Sequence, residues 1–319
     1  MKALITGGAG FIGSHLADEL IARGHQVVVL DDLSTGRHAN IAHLLGRPDF
    51  EFVLGSILNA DLVDDVVGRA DVVFHLAAAV GVELIVERPV ESLRTNVLGS
   101  EMVIEKAHKY TRPVLVTSTS EIYGKNDSDR LGEDDDRILG SPLKSRWSYS
   151  EAKAIEEILA YTYWRQKGLP AVITRLFNTV GPRQTGHYGM VIPRFVNQAL
   201  RGEAITVYGD GKQTRCFCHV TDIVSPLADL ITNDDAYGQV LNLGGVEEIS
   251  IEDLAHRVIE LAGSESTVRF VSYEEAYEEG FEDMPRRVPD VTRARELVGF
   301  APERSLDDIL RSVIEEQRG

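Results

Sequence analysis

A chain of 319 residues, 43% hydrophobic and 26% charged, has the length for two domains and a sizeable core. A formal charge of −17 disfavours association with nucleic acid or anionic membrane, which rests on basic surface, so any anionic ligand needs local arginines. Apolar runs such as Val27–Leu30 and Val72–Val80 fall short of the roughly 18 residues that cross a bilayer, and the chain opens directly into a strand pattern; a cytoplasmic protein is expected.

In chain order, Lys2–Thr6 reads as a strand, Phe11–Arg23 as a helix stopped by Gly24, and Gln26–Asp31 as a second strand. Glu51–Leu54, Val72–Leu76, Pro113–Ser118 and Ala171–Arg175 continue as strands, with helices at Ala60–Val67, Val90–Lys109 and Ser148–Gln166 between them. Strands alternating with helices are the signature of an α/β fold, one doubly wound parallel sheet. After Arg175 the rhythm breaks. Pro182, Pro193 and a glycine-containing stretch at 186–189 precede a helix at Phe195–Arg201, a strand at Ile205–Tyr208, and acidic helical segments near 251–262 and 305–316. The expected division is residues 1–175, with 217–233 returning to that unit, and a smaller lobe over 176–319. The acidic run Asp127–Asp136 reads as a solvated connection, with a lid as the alternative. Cys216 and Cys218 are too few and too close for a disulfide framework, and no histidine pattern suggests a metal site.

Between the first strand and helix lies Thr6-Gly7-Gly8-Ala9-Gly10-Phe11-Ile12-Gly13. In a dinucleotide-binding turn Gly7 permits the bend, Gly10 lets backbone approach a pyrophosphate, Gly13 lets helix pack on strand, and the helix N-terminal amides face phosphate. The spacing is GxxGxxG rather than GxGxxG. Asp31 ends the second strand, where a carboxylate accepts from a ribose 2′-hydroxyl and repels a 2′-phosphate, favouring NAD over NADP. Tyr149 and Lys153 stand at i and i+4 on one helix face, and the strand before Thr119-Ser120-Glu121 ends at the sheet edge where such folds bind ligands. A tyrosine beside an ammonium group and a cationic nicotinamide is expected to have a lowered pKa and to serve as a base, with Thr119 holding the reacting hydroxyl.

Taken with Asp31-Asp32, His75-Leu76-Ala77-Ala78, Asn96-Val97-x-Gly99, Tyr123-Gly124 and Arg175-x-x-Asn178-x-x-Gly181-Pro182, the chain resembles the extended short-chain dehydrogenase/reductase family of nucleotide-sugar epimerases, dehydratases and decarboxylases over nearly its whole length. The resemblance implies a Rossmann sheet with a smaller α/β substrate-binding lobe, a catalytic set of Thr119, Glu121, Tyr149, Lys153 and Arg287, and a tightly held NAD. Its cofactor contacts would come from Gly7, Gly10, Phe11, Ile12, Gly13, Asp31, Asp32, Ser56, Ile57, Leu76, Ala77, Ala78, Asn96, Thr117, Tyr149, Lys153 and Phe177. Ser56 stands where relatives usually carry Asp to accept from the adenine amino group, and its hydroxyl can also accept. A UDP-sugar would be met by Glu121, Asn178, Val191 and Phe195 in the Gly189–Phe195 segment, Thr206, Tyr208, Gln213, Arg215 and Arg287. Arg183, Arg194 and Arg286 fit surface ion pairs as well as ligand contacts. The helices at Val90–Lys109 and Ser148–Gln166 carry Val97, Val103, Ile104, Ile155, Ile158, Leu159 and Tyr161, more apolar surface than one sheet face covers, and relatives pair them in a homodimeric four-helix bundle.

Within the family, Thr119-Ser120-Glu121, Lys212–Phe217 and Arg287-x-Pro-Asp290 resemble the UDP-glucuronate decarboxylases. A 4,6-dehydratase typically carries an acid at the Ser120 position, so elimination is less favoured. A UDP-hexose or UDP-uronate 4-epimerase would use the same tyrosine, threonine and NAD and remains the alternative. An NAD-sensing regulator would commonly have lost the Tyr/Lys pair.

Overall fold

The computed structural model describes residues 1–79, 89–144, 147–186, 190–272, 275, 284 and 286–319; Val80 and Gly189, named above, lie outside the described residues. The first half alternates β1 (Lys2–Thr6), α1 (Phe11–Ala22), β2 (Gln26–Asp31), β3 (Phe50–Leu54), α2 (Ala60–Gly68), β4 (Val72–His75), α3 (Pro89–Leu93), α4 (Ser100–Lys109), β5 (Val114–Thr119), α5 (Ser148–Lys167) and β6 (Ala171–Leu176). Beyond it come β7 (Thr179–Val180), α6 (Val191–Leu200), β8 (Ile205–Tyr208), β9 (Thr214–Cys216), β10 (Cys218–His219), α7 (Val220–Leu230), β11 (Val240–Leu243), β12 (Glu248–Ser250), α8 (Ile251–Ala262), β13 (Val268–Val271), α9 (Thr292–Val298) and α10 (Leu306–Arg318).

Seven strands form one sheet in the order β11-β6-β5-β4-β1-β2-β3. Every pairing in it is parallel. The continuous run Val27–Leu30 is buried on both sides, as a strand between two helical layers must be. On one face Leu16 and Leu20 of α1 pack with Ile223 and Leu227 of α7. On the other, Val63 and Val66 of α2 meet Val103 and Ile104 of α4 and Ala160 of α5. Val103 and Ile104, expected above to contribute to a dimer face, are thus spent inside the chain's own core. The sheet also takes β11, which lies beyond the expected 217–233 return. Strand order reverses between β1 and β4, and the crevice outside their carboxyl ends is where open α/β sheets bind ligands.

Two elements differ from their sequence reading. The single helix expected at Val90–Lys109 is broken between α3 and α4 by a π-helical turn over Arg94–Gly99. Its Asn96 reaches the backbone of Ala79 with both ends of the amide, Oδ1 accepting from Ala79 N at 2.7 Å and Nδ2 donating to Ala79 O at 3.1 Å. Such π-helical turns inside helices occur frequently at functional sites. The helix expected from Phe195 begins four residues earlier, at Val191. Pro193, read as a breaker, is the third helical residue, where its missing N–H has no intrahelical partner to lose.

The acidic connection is anchored although its outer carboxylates are solvated. Leu131 N donates to Val288 O at 2.8 Å, Asp290 N donates back to Leu131 O at 2.9 Å, and Arg293 Nη2 reaches Asp134 at 2.7 Å. Glu133 Oε1 accepts from Asn242 N at 2.9 Å, and Arg293 Nη1 donates to Val240 O at 3.2 Å. This strap holds the segment bearing Arg287 against the edge of the sheet.

Behind the cleft, Arg175 makes a two-pronged contact with Glu157, Nε to Oε1 at 2.9 Å and Nη2 to Oε2 at 2.8 Å, and donates to the Tyr123 hydroxyl at 2.9 Å. Both partners of this ion pair are buried. Glu157→Leu would leave the guanidinium uncompensated, a loss of about 3–5 kcal/mol. A urea melt should therefore show a much lower midpoint for Glu157→Leu, and the double variant Glu157→Leu/Arg175→Met should recover most of the difference; equal midpoints for the single and double variants would contradict the pairing.

Candidate active site

The turn after β1 is built so tightly that side chains are excluded. Gly7 has φ +73°, and a Cβ there would stand 2.7 Å from Ala77 N; a Cβ on Gly13 would stand 2.3 Å from Gly7 O. Helix α1 starts after Gly10 without a side-chain cap and without an acidic residue in its first turn, so its amides and positive dipole end open into the cleft. Asp31, at the end of β2, locks this turn by accepting from Ala9 N at 2.9 Å and Leu33 N at 2.8 Å. Burial pushes the Asp31 carboxyl up, and the Leu33 and Ala9 amides oppose that rise.

One cleft of about 550 Å³ runs from this turn across the sheet edge into the smaller lobe. Gly7, Gly10, Phe11, Ile12, Gly13, Asp31 and Asp32 line one end, with Ile57, Leu76, Ala77, Ala78 and Thr117 along its base. Thr119, Glu121, Tyr149, Lys153 and Arg287 converge at the middle, and Asn178, Val191, Tyr208, Gln213 and Arg215 line the other end. Five expected residues lie elsewhere. The Ser56 hydroxyl accepts from Leu58 N at 3.3 Å, while Gly55 and Ile57 on either side line the cleft. Asn96 acts on Ala79 backbone, as described above. Phe177 packs beneath the cleft with Tyr123, ring centroids 5.9 Å apart, and Phe195 is in the core of the smaller lobe. The Thr206 side chain holds Arg194 and Gln198. Beside four of them an adjacent residue lines the cleft instead, Ile57, Thr95, Asn178 and Arg194, whereas both neighbours of Thr206, Ile205 and Val207, are buried.

At the centre, Thr119 Oγ1 accepts from Glu121 N at 3.2 Å and so caps the 3₁₀ turn Ser120–Tyr123. Arg287 Nη1 reaches Glu121 Oε1 at 2.6 Å and Ser120 Oγ at 3.2 Å, a charge-assisted cluster on the cleft wall. Lys153 is almost wholly buried; its Nζ donates to Thr117 O at 2.7 Å and Glu156 Oε2 at 2.8 Å. Half-buried Tyr149 stands one helical turn before it. The lowered pKa expected from sequence rests on a nicotinamide cation as well as on Lys153; in the protein by itself burial, and after it the charges of Glu156 and Glu121, push the Tyr149 phenol up.

A model of the NAD dependent epimerase/dehydratase family matches residues 3–244. The chain belongs to that family. It is 42% identical over 98% of its length to UDP-N-acetyl-alpha-D-glucosaminuronate decarboxylase of Bacillus cytotoxicus, of which it covers 97%. It is 36% identical over 98% of its length to UDP-glucuronic acid decarboxylase 1 of Xenopus tropicalis, covering 71% of that protein. Among solved structures, the UDP-glucuronic acid 4-epimerase of Bacillus cereus, determined with UDP-glucuronic acid and NAD, superposes with a TM-score of 0.89 at 30% identity, covering 100% of this chain and 99% of that one. As a member of the NAD dependent epimerase/dehydratase family the protein is an NAD-dependent enzyme. The glycine turn, the uncapped start of α1 and the Asp31 carboxylate fit that cofactor.

Sequence reasoning missed several cleft residues of this family member. Thr95 comes from the π-helical turn, and Gln184, Thr185 and Met190 come from the segment after Pro182. Arg183 and Arg194, left undecided above, both line the cleft: Arg183 pairs with Asp18 at 2.8 Å, and Arg194 stacks 4.2 Å from the Tyr208 ring centre. The third undecided arginine, Arg286, instead forms an exposed bidentate pair with Glu248. Among the described residues no cluster of His, Cys, Asp and Glu could hold a metal ion, and no helix is long and apolar enough to cross a membrane.

Two histidines near the cleft are held neutral. Burial, aided by the Lys153 charge, lowers His75 to about 3, and burial with Arg304 lowers His219 to about 4. Unfolded histidine takes a proton near pH 6.5, so between about 6.5 and these values the unfolded chain binds more protons and stability falls as pH falls. Each contributes a slope of up to about 1.4 kcal/mol per pH unit in that window. Urea midpoints measured from pH 7 to 5 should fall less steeply in His75→Asn than in the unaltered protein; identical slopes would mean that His75 titrates normally.

Proposed function

We propose that this enzyme decarboxylates UDP-glucuronate to UDP-xylose through a 4-keto sugar, using NAD without net consumption. The observation that carries the reading is the Glu121–Arg287–Ser120 cluster set beside Thr119 and Tyr149 in one cleft. A hydroxyl rather than an acid at Ser120 leaves no evident proton donor for a departing 6-hydroxyl, which argues against elimination. NAD, held by Gly7, Gly10, Phe11, Ile12, Gly13, Asp31 and Asp32, supplies the hydride acceptor and donor when bound.

Tyr149 takes the proton of the sugar 4-hydroxyl as that carbon is oxidised, while Thr119 hydrogen-bonds the same oxygen. The C5 carboxylate is then β to a ketone. Breaking the C5–carboxylate bond releases CO₂ and leaves the electron pair as an enolate on O4, where the Tyr149 phenol and the Thr119 hydroxyl donate to the developing charge. Glu121 directs a proton to C5, and reduction of the ketone with return of the Tyr149 proton to O4 completes UDP-xylose. Arg287 offers a guanidinium to the anionic substrate; Arg194, Arg215 and Gln213 take its nucleotide end. The 42% identity to an N-acetylglucosaminuronate decarboxylase supports a second reading, in which the sugar carries a 2-acetamido group and the chemistry is unchanged.

The purified protein should convert UDP-glucuronate, followed by NMR, to a pentose with release of CO₂. A product that keeps its carboxylate and inverts C4 would make it the 4-epimerase, and turnover confined to the 2-acetamido sugar would select the second reading. Tyr149→Phe, which removes only the proton-carrying oxygen, should lower turnover by about 10²–10⁴-fold with binding largely intact. In single turnovers Glu121→Gln should accumulate the NADH absorbance and Tyr149→Phe should not; normal turnover by Glu121→Gln would remove its proposed role.

We also propose a homodimer in which α3 to α5 pair with their counterparts. Leu98, Ile155, Ile158 and Tyr161 form an exposed apolar stripe on these helices, with Ile158 the most open at 61%. Light scattering should give twice the mass of 35.2 kDa, and Ile158→Glu should shift it to the monomer; a monomer at every concentration would refute the dimer. Two free, buried cysteines, Cys216 and Cys218, suit the cytoplasmic residence proposed with this reading.

A further inference from the structure

Glu156 is a fully enclosed carboxylate that the mechanism above does not use. It lies three residues after Lys153 on α5, its Oε2 2.8 Å from Lys153 Nζ, and its side chain has no solvent exposure. Its second oxygen, Oε1, lies 3.8 Å from His75 Nε2, and the Ser100 hydroxyl faces the same carboxylate. His75 belongs to a chain of polar groups. Ala77 N donates to Thr6 Oγ1 at 3.3 Å, and the Thr6 hydroxyl lies 2.7 Å from His75 Nδ1. The other ring nitrogen, Nε2, lies 2.9 Å from Ser100 Oγ. The chain therefore runs from backbone at the cleft to the edge of the carboxylate.

An isolated buried carboxylate is costly, and an enclosed Lys–Glu pair is no more stable than apolar packing of the same volume. Stability alone therefore does not account for this pair, which lies on the helix face that carries Tyr149 and Lys153. We propose that Glu156 is a positioning residue: it fixes the Lys153 ammonium from below and, by the negative charge it adds, sets how readily Tyr149 gives up its proton. The groups facing it are Lys153, Tyr149 and Glu157 on its own helix, His75 on β4, Ser100 on α4 and, across the cleft, Glu121; Glu157 is engaged by Arg175. His75 is neutral, so the balance at Tyr149 is one ammonium against the carboxylates. Burial pushes the Glu156 carboxyl itself up, and the paired Lys153 ammonium opposes that rise and favours the charged form.

The inference rests on Tyr149 as the proton acceptor, and its test separates the two. Tyrosinate absorbance is titrated in the unaltered protein, Glu156→Gln, Glu156→Asp and Tyr149→Phe, the last identifying the signal of Tyr149; turnover of UDP-glucuronate is followed over the same pH range. Glutamine keeps the volume and an oxygen acceptor for Lys153, which Thr117 O also holds, and removes only the charge. In Glu156→Gln the Tyr149 signal and the acidic limb of kcat should move down by about one pH unit, the lower end of the effect of a nearby charge. A limb that stays or moves up, with activity and thermal stability falling together, would make Glu156 a packing residue and overturn the proposal. Should Glu156→Gln fail to fold, Glu156→Asp decides: it keeps the charge but withdraws it by one methylene, so the limb should stay while kcat falls severalfold at constant KM. Unchanged kcat in that variant would equally overturn the inference. Full activity in Tyr149→Phe would instead defeat the assignment of the base.

Discussion

Gly7 and Ala77 approach so closely that one methyl group on Gly7 would collide with the Ala77 backbone, and the cleft depends on that approach. It holds the ends of β1 and β4 together at the point where the strand order reverses. Once those ends are fixed, Thr6 can accept from Ala77 N, His75 can turn inward, and α1 can start immediately above the sheet with its amides outward. The catalytic segment follows from the same geometry. β5 lies next to β4, so Thr117 presents its carbonyl to Lys153 and Thr119 ends at the level of the glycine turn.

Much of this was legible because periodicity and turn chemistry are local. The strand β1, the turn to Gly13, Asp31 and the Tyr149/Lys153 spacing each need only their own neighbourhood to be read, and a parallel sheet follows from alternating strands and helices. What escaped the sequence is set by contacts between distant segments. The π-helical turn at Arg94–Gly99 exists because Asn96 must meet Ala79, and a helical pattern alone contains no trace of that partner. Thr206 and Tyr208 have the same sequence signal for a ligand-facing strand, yet Thr206 is spent on holding Arg194. Phe177 follows β6 directly, but Tyr123, from another segment, takes its ring into the interior.

Charge behaves in the same way. A chain of −17 needs guanidinium groups to meet an anionic ligand, and it has them, each already held by the protein. Arg287 is held by Glu121, Arg183 by Asp18, and Arg215 by the carbonyls of Thr214 and Met284. Such partners orient the cations before a ligand arrives, which lowers the entropy lost on binding. One of these partners, Glu121, also adds its charge to the burial that pushes the Tyr149 phenol up.

The strap that anchors Arg287 has a consequence at the opposite side of the same residues. β11 is an edge strand, and a bare edge is a template on which another sheet can grow. Its outward N–H at Asn242 is taken by Glu133 and its outward carbonyl at Val240 by Arg293. Both side chains are charged, and Asp134 beside them faces solvent. The strap that anchors Arg287 therefore also covers this edge of the sheet, so that loosening it by mutation would expose an aggregation-prone strand and free Arg287 together.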